Sequence, residues 1–486
     1  MSKITTLEPK QLWNYFHQIT QIPRPSKSEK EIAGFIVKFA KEHGLESMVD
    51  KVGNVIVRKP AAKGMENRIG VILQTHLDMV PQKNSDKVHD FTKDPIETII
   101  DGEWVKANGT TLGSDNGIGV AATLSVLSSK ELPHGPLEAL FTIDEETGMT
   151  GVFGLEAGLL KGNILMNLDS EDEGELYVGC AGGIDVSAVK SYAEEVSPKG
   201  MTAYRISVKS LKGGHSGVDI ALGRANSNKL IFRFLMQAES DFGIRLSSAS
   251  GGDLRNAIPR EAGAVLLVPE IKTSEFEAFV KGYEKMYRAE FAETEQDLVF
   301  RAEKVQTPAR VMNQGDQYRV IRAVYICPNG VQRMSQAMKG LVETSNNLAI
   351  VKCSDGKFEA HSLTRSSVDS AKEAVAWKIA AVFQLIGAEV ILEGGYPGWK
   401  PNMNSPILKT MSGVYSAMFG KVPEVKAIHA GLECGLISGV YPNMDMISFG
   451  PTIRYPHSPD EKVNIPSVAK FYDFLCATLK QIPSAK

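Results

Sequence analysis

The sequence predicts an α/β protein whose central, mostly parallel sheet is interrupted by a second, inserted α+β domain. Short apolar runs alternate with helical patterns before about residue 185 and again after residue 398. Between them the pattern changes to strands grouped with long amphipathic helices. The length, 486 residues, also exceeds that of an ordinary single core. We therefore predict one domain of residues 1–185 and 399–486, and an inserted domain of residues 186–398.

Two amphipathic helices begin the first domain. Apolar residues recur at helical spacing in both, at Leu12, Phe16 and Ile19 and at Ile32, Ile36 and Phe39. Ser28 and Glu31 have the spacing of a capping box for the second helix. Strands are predicted at 54–57, 69–75, 137–143, 164–168 and 445–449, and a glycine-containing helix at 117–127. Alternation of this kind favours parallel pairing.

The inserted domain has a different pattern of strands and helices. Strands are predicted at 203–208, 264–268 and 348–351, with helices at 227–238 and 368–385. No low-complexity linker marks its borders.

Composition and charge exclude several classes of function. The net charge is −3 and the pI about 6.4, so the chain lacks the basic excess of a nucleic-acid-binding protein. No apolar run is long enough to cross a bilayer, and the N-terminus lacks the apolar stretch of a secretory signal. The five cysteines include no CxxC pair, which favours reduced thiols. We expect a cytoplasmic protein that binds neither nucleic acid nor a membrane.

Metal-ligating side chains follow several of the predicted strands. They are His76, Asp78, Asp115, Glu145, Glu146, Asp169 and His457. Ligand sites in open α/β sheets lie at the carboxyl ends of strands, and imidazole with carboxylate, without thiolate, suits zinc or a similar divalent ion. Each residue alone is more typical of a surface acid or a helix cap. Their coincidence at one edge predicts a metal site, and two divalent ions would balance three carboxylates and a hydroxide.

Seven stretches resemble the di-zinc peptidases and acylases of the aminoacylase/carboxypeptidase/dipeptidase superfamily, and within it the aminoacylhistidine (Xaa-His) dipeptidase family. They are QIPRPSKSE (21–29), QTHLDMV (74–80), TLGSDNGIG (111–119), DEETGMTGVFGL (144–155), NLDSEDEGELYVGCAGG (167–183), GGHSGVDIALGRAN (213–226) and HAGLECGLI (429–437). The resemblance spans both predicted domains. It implies a metallo-dipeptidase that cleaves Xaa-His, carnosine-like and other unblocked dipeptides.

The resemblance also implies roles for the strand-end residues. The ligands of two Zn²⁺ ions, or of Co²⁺ or Mn²⁺ in their place, would be His76, Asp115, Glu146, Asp169 and His457, with Asp115 as the bridge. Glu145 would be the general base, and Asp78 would orient His76. Asp144, the first acid of the same stretch, is interpreted as structural. The Asp115–Asn116 peptide bond is cis in many relatives.

Substrate contacts are implied in the inserted domain, which would act as a lid. His215 would stabilise the oxyanion, and in dimeric relatives it reaches the neighbouring subunit's site, so a homodimer through the lid is expected. Asn256 and Arg365 are candidates to bind the substrate carboxylate, and Glu433 to bind its amino group. Arg365 as a surface residue and Glu433 as a helix-start acid remain alternatives.

Three other hydrolases of the superfamily remain open: a tripeptidase, a carboxypeptidase and an N-acyl amino acid deacylase. The long insert favours the dipeptidase. A non-catalytic metal- or peptide-binding protein is the alternative from another class; it predicts loss of the base or of a ligand, and this sequence keeps both.

Overall fold

The computed structural model describes residues 3–485, in which the helices and strands follow the expected alternation. The helices are α1 (Lys10–Thr20), α2 (Lys30–Glu42), α3 (Ser114–Ser128), α4 (Thr150–Phe153), α5 (Ser227–Phe242), α6 (Thr273–Glu290), α7 (Gln314–Ile326), α8 (Asp369–Gln384), α9 (Pro406–Phe419), α10 (Glu433–Val440) and α11 (Ile465–Gln481). Short 3₁₀ turns lie at Lys3–Thr6, Ile220–Leu222 and Glu270–Lys272. Among residues 3–485, no helix has both the length and the apolar character needed to cross a membrane.

The strands are β1 (Glu46–Val49), β2 (Val55–Lys59), β3 (Val71–His76), β4 (Thr98–Asp101), β5 (Trp104–Ala107), β6 (Leu137–Thr142), β7 (Ile164–Asn167), β8 (Glu175–Cys180), β9 (Gly182–Ser191), β10 (Glu194–Val196), β11 (Met201–Lys209), β12 (Gly214–His215), β13 (Arg245–Gly251), β14 (Ala257–Ile258), β15 (Ala262–Pro269), β16 (Val299–Lys304), β17 (Arg310–Met312), β18 (Gly330–Met334), β19 (Val342–Ser354), β20 (Lys357–Ser366), β21 (Glu389–Tyr396), β22 (Glu424–Ile428), β23 (Asp445–Ser448), β24 (Ile453–Arg454) and β25 (Lys462–Asn464).

The chain divides into two compact units. The first comprises the chain up to Gly179, Pro401–Ala427 and the chain from Leu432 onward. The second comprises Cys180–Lys400 and Ile428–Gly431. The predicted borders at 185/186 and 398/399 fall a few residues inside the second unit.

An eight-stranded sheet forms the centre of the first unit, in the order β1-β2-β6-β3-β7-β23-β8-β22. Its middle strands β6, β3, β7 and β23 run parallel. Every residue of β3, β6 and β7 is buried, as expected for parallel strands covered on both faces. The carboxyl ends of these strands therefore meet at one edge of the sheet. The predicted α/β class with a parallel central sheet is confirmed.

The predicted capping box before α2 is wrong. The helix begins at Lys30, and its N-cap residue is Glu29, whose side chain makes no cap hydrogen bond. The Glu29 carboxylate instead accepts the backbone N–H groups of Lys27 (2.7 Å) and Asp144 (3.1 Å). The acid before the helix is thus used for a tertiary contact rather than for capping.

The second unit is built on a nine-stranded sheet, in the order β16-β11-β15-β13-β19-β20-β9-β21, with β18 paired to β19. The pairings run antiparallel. Aromatic side chains of α5 and α6 pack together in its core, with the Phe234 and Phe276 ring centroids 5.9 Å apart. The strands expected at 203–208, 264–268 and 348–351 lie within β11, β15 and β19, so the α+β character of the insert is confirmed.

Candidate metal centre and substrate-binding residues

The parallel strands of the first unit deliver the predicted ligands to one edge. His76 is the last residue of β3, Asp169 lies two residues beyond β7, and Glu145 and Glu146 follow β6. Asp115 lies in the first turn of α3, where the backbone departs from helical angles. The Asp115–Asn116 peptide bond is cis, as the resemblance implied.

Asp115 lies at the centre of the cluster, because each of its carboxylate oxygens faces a different histidine. Its Oδ1 is 3.0 Å from Nε2 of His76, and its Oδ2 is 3.3 Å from Nε2 of His457. Each imidazole has a second acid beside it: Asp169 Oδ1 lies 3.3 Å from His76 Nε2, and Glu146 Oε2 lies 3.0 Å from His457 Nε2. Two trios of ligand atoms therefore share one carboxylate, and within each trio the atoms lie within 4.8 Å of one another.

These residues fit a pair of divalent cations. Imidazole and carboxylate are the donors that zinc and similar ions accept, and two trios joined by a carboxylate match a two-ion site. Burial, reinforced by neighbouring acids, raises the pKa values of Glu146 and Asp169 above their usual range. One oxygen of Glu146 is buried and has no hydrogen-bond partner among the described residues. A bound cation would offset both the burial of these acids and their mutual repulsion.

Asp78 joins two of the loops around this cluster. Its side chain is fully buried, and its Oδ1 lies 3.4 Å from Nδ1 of His76. Its two oxygens also accept the backbone N–H groups of Glu145 (3.0 Å) and Glu146 (3.2 Å). Although burial alone raises its pKa, His76, the Ser26 hydroxyl (2.8 Å) and the Glu145 N–H hold the pKa of Asp78 at about 2. An ionised carboxylate at this position can fix the orientation of the His76 ring.

Glu145 has the electrostatic environment of a proton acceptor. Burial, together with the charges of Asp169, Glu433 and Glu146, raises its pKa well above the usual value. Such a carboxyl group takes up a proton more readily than an exposed one, which suits general acid–base catalysis.

Asp144 is structural, as interpreted from the sequence. It is almost fully buried, and its carboxylate accepts hydrogen bonds from the hydroxyls of Thr147 and Thr150, the latter at 2.7 Å. These bonds shape the loop that carries Glu145 and Glu146.

Glu433 is buried at the first position of α10, where the charges of His76 and Asp169 act on it. It is 1% exposed, and its Oε2 accepts hydrogen bonds from Thr142 (2.9 Å) and Gln74 (2.5 Å), whereas Oε1 has no partner among the described residues. Burial raises the pKa of Glu433 to about 8. Asn167 extends the network by donating to Gln74 Oε1 at 2.5 Å. Sequence reasoning missed Gln74, Thr142 and Asn167, although polar residues near the ends of apolar strands were a usable signal.

Arg365 lies in the second unit and is 5% exposed, so the surface alternative is wrong. Its Nη1 donates to the Tyr396 hydroxyl at 3.1 Å, and its Nε has no partner among the described residues. None of the ion pairs formed within residues 3–485 includes it. A buried guanidinium without a carboxylate is suited to bind an anion.

His215 and His429 lie in the electrostatic field of Arg365. Nδ1 of His215 accepts the backbone N–H groups of Gly217 (3.2 Å) and Val218 (3.1 Å), which leaves the proton of the neutral ring on Nε2. Burial, and then Arg365, lower the pKa of His215, and the same causes lower that of His429 to about 3. Nε2 of His429 lies 2.7 Å from the Ser345 hydroxyl.

Asn256 is exposed and lies beside the His215 segment, since its carbonyl accepts the N–H of Ser216 at 2.8 Å. The predicted residues thus form two groups. The candidate metal ligands lie with Glu145, Asp78 and Glu433 in the first unit, and His215, Asn256 and Arg365 lie in the second.

Comparisons with known proteins extend over the whole chain. A family model described as peptidase family M20/M25/M40 matches residues 72–481. The cytosol non-specific dipeptidase of Escherichia coli (strain K12) is 48% identical over 484 residues, which are 100% of both chains. The crystal structure of aminoacylhistidine dipeptidase from Vibrio alginolyticus superposes with a TM-score of 0.96 at 50% identity, covering 100% of this chain and 99% of that one. Aminopeptidase PepT from Bacillus cereus shares the fold, with a TM-score of 0.58 at 16% identity, over 98% of this chain and 99% of its own.

Proposed function

The chain belongs to peptidase family M20/M25/M40, and we propose that it is a dipeptidase that hydrolyses unblocked dipeptides, Xaa-His and carnosine-like substrates among them, with the help of two divalent cations. The names of the two relatives at about half identity, a non-specific dipeptidase and an aminoacylhistidine dipeptidase, support this substrate class.

One observation carries the proposal: the Asp115 carboxylate presents one oxygen to His76 and the other to His457, at 3.0 and 3.3 Å. Asp169 and His76 would hold one cation, Glu146 and His457 the other, and Asp115 both. Zinc, with cobalt or manganese as substitutes, would polarise the scissile carbonyl and acidify a water molecule.

Glu145 would move the proton. Its raised pKa would let the carboxylate accept a proton from the attacking water. The carboxyl group would then donate that proton to the leaving amine. Asp78, which accepts the Glu145 backbone N–H and lies beside the His76 ring, would keep both residues oriented.

Residues of the second unit would bind the carbonyl oxygen of the scissile amide and the free carboxylate of the substrate. The Nε2–H of His215 is a fixed donor for the oxygen that becomes negative during attack. Arg365 would form a two-pronged salt bridge with the free carboxylate, with Asn256 beside it. In the first unit, the Oε1 of Glu433, which has no partner within residues 3–485, would accept the substrate ammonium group.

The rival functions require different features. A deacylase substrate has no free amino group for Glu433, and a tripeptide carries its carboxylate one residue farther from the scissile bond. A non-catalytic metal-binding protein does not need the base at Glu145.

A panel of substrates tests the proposal directly. We expect cleavage of free dipeptides, including β-alanyl-histidine, loss of that activity with a chelator, and recovery on addition of Zn²⁺. N-acetylated dipeptides, dipeptide amides and tripeptides should be cut much more slowly. Preferential cleavage of any of those three classes would assign a different substrate to the same metal site. Full metal loading without cleavage of any peptide would favour the non-catalytic alternative.

We also propose that the protein works in the cytoplasm as a homodimer joined through the second unit. The cytosolic name of the Escherichia coli relative and the His215 motif support this. Light scattering on the eluting protein should give twice the chain mass of 52.9 kDa, and a mass of one chain would contradict the dimer.

A further inference from the structure

The QIPRPSKSE motif at residues 21–29 has no role in the mechanism above, yet its arginine contacts the loops that carry the candidate ligands. Arg24 is 2% exposed. Its Nη1 donates to the carbonyls of Leu77 and Asp78, both at 2.8 Å, and its Nη2 donates to the carbonyl of Gly113. One guanidinium therefore connects the end of β3, immediately after His76, to the loop immediately before Asp115.

The loop approaches Arg24 as closely as glycine permits. Gly113 has a φ of +68°, and a Cβ added there would lie 2.6 Å from Arg24 Nη2. A Cβ added at Gly117 would lie 2.8 Å from the same nitrogen. Any larger residue at either position would displace the guanidinium or the loop.

Glu461 binds the same loop through its backbone N–H groups. The side chain is buried, with 2% of the residue exposed, and its carboxylate accepts the N–H of Leu112 (2.8 Å), Gly113 (3.0 Å), Ser114 (2.7 Å) and Asp115 (3.3 Å). It also accepts the Ser114 hydroxyl at 2.6 Å. Successive backbone N–H groups that converge on one anion form a rigid concave arrangement.

We propose that Arg24 and Glu461 are positioning residues that together clamp residues 112–115. This clamp would keep one Asp115 oxygen facing His76 and the other facing His457. The clamp acts on both sides of Gly113, since Arg24 binds its C=O and Glu461 its N–H. Because Asp115 is shared, a small shift of this loop disturbs both trios at once. The clamp also ties the loop to the other ligands, as Glu461 lies four residues after His457 and Arg24 binds the two residues that follow His76.

The inference rests on the metal-binding part of the proposed function, so metal affinity is its readout. Removal of a residue that orients metal ligands typically weakens metal binding by roughly 10- to 100-fold. A residue that only supports folding would lower the unfolding temperature and leave the affinity of the folded protein unchanged.

Two substitutions, each with a matched control, separate these cases. Glu461→Gln places an amide NH₂ among the N–H donors, and Arg24→Met removes all three carbonyl contacts. Asp460→Asn removes the same charge from an exposed neighbour of Glu461, and Lys30→Gln removes a positive charge from the exposed start of α2.

The experiment is a titration of the metal-free full-length protein with Zn²⁺ against a chromophoric chelator, with the absorption spectrum of the Co²⁺ form as a second readout. We expect two ions per chain in the unaltered protein. Both clamp variants should bind at least one ion about 10- to 100-fold more weakly, with an altered Co²⁺ spectrum. The two controls should stay within about twofold of the unaltered protein.

Milder variants apply if either substitution prevents folding. Ser114→Ala removes a single hydrogen bond to Glu461, and Arg24→Lys keeps the charge but not the planar fork, so each should weaken binding less than the full loss. Clamp variants that fold and bind both ions with unaltered affinity and spectrum would overturn the clamp and leave the proposed function intact. An unaltered protein that binds no divalent cation would instead refute the metal site itself.

Discussion

Replacement of Arg365 by methionine should remove most of the activity without unfolding the protein. The guanidinium is buried in the second unit, its Nη1 donates to the Tyr396 hydroxyl, and its Nε has no partner among the described residues. Burial of a cation without a carboxylate costs several kcal/mol of stability, which a binding site can tolerate when an anionic substrate later supplies the partner. Methionine has a similar length and no charge, so the side-chain volume is roughly retained.

The size of the effect follows from the hydrogen bonds at stake. A bond to a charged group contributes about 1.5–3 kcal/mol. Because two bonds to one carboxylate contribute less than their sum, a two-pronged contact with the substrate carboxylate contributes about 3–4 kcal/mol. Because 1.4 kcal/mol corresponds to a factor of ten, kcat/KM for a free dipeptide should fall roughly 100- to 1,000-fold. Stability should hold or rise, since relief from the desolvation cost outweighs the cost of about 1 kcal/mol for a Tyr396 hydroxyl left without its donor.

The assay compares each free dipeptide with its C-terminal amide, which removes the carboxylate from the substrate side. In the unaltered protein the amide should be the poorer substrate by the same 100- to 1,000-fold, and in the Arg365→Met variant the two should be cut at similar rates. Arg205→Met, at an exposed position of β11, is the matched control and should behave like the unaltered protein.

Two results would refute this reasoning. If Arg365→Met slows the acid and the amide equally, the arginine does not recognise the carboxylate. If the variant loses its cooperative unfolding transition, the guanidinium is needed for the fold rather than for the substrate.

The remaining predictions concern catalysis, the oxyanion donor and acid stability. Glu145→Gln should lower kcat by roughly 10²–10⁴-fold, while the bound metal, measured by elemental analysis, stays at two ions per chain. Unchanged turnover would contradict the role of Glu145 as the general base. His215→Asn should lower kcat by roughly 10²–10³ with little change in KM, and a change in KM alone would point to ground-state binding instead. His429 has a folded pKa of about 3 against 6.5 in the unfolded chain, so the unfolded chain binds the proton first and stability falls as the pH drops from 6.5 towards 3. In urea titrations His429→Gln should lose less stability than the unaltered protein over that range, whereas parallel pH profiles would contradict the buried, neutral histidine.

The sequence carried enough information to predict which of these side chains would come together, because the parallel strands place all their carboxyl ends at one edge of the sheet. Buried strands such as β3 and β6 are largely apolar, so a change to polar and charged residues marks the region where each strand ends. His76 is the last residue of β3, and Glu145 lies three residues after the end of β6. Side-chain type and strand end together specify the site, without any need to know the exact packing.

Contacts between distant segments lay beyond this kind of reasoning. Ile428–Gly431 belongs to the second unit because the Ala181 N–H donates to the carbonyls of Ile428 and Ala430, and nothing in the local pattern predicts that backbone pairing. The contacts of Glu461 could not be predicted for the same reason. The Glu461 carboxylate binds N–H groups nearly 350 positions earlier in the chain, and no sequence periodicity signals such a contact. Its neighbours in the sequence resemble an ordinary charged loop.

Under the proposed function, the different charges of the two units would favour dipeptides as substrates. The first unit concentrates buried carboxylates, which suit cations and an ammonium group, while the second carries a buried guanidinium flanked by two histidines that Arg365 helps to keep neutral. A free dipeptide bears both complementary charges, each within one residue of the scissile bond. A longer peptide retains both charges but changes their spacing relative to that bond, so we expect it to be cleaved more slowly. Selectivity for length would then depend on the charges at the two ends of the substrate rather than on its side chains.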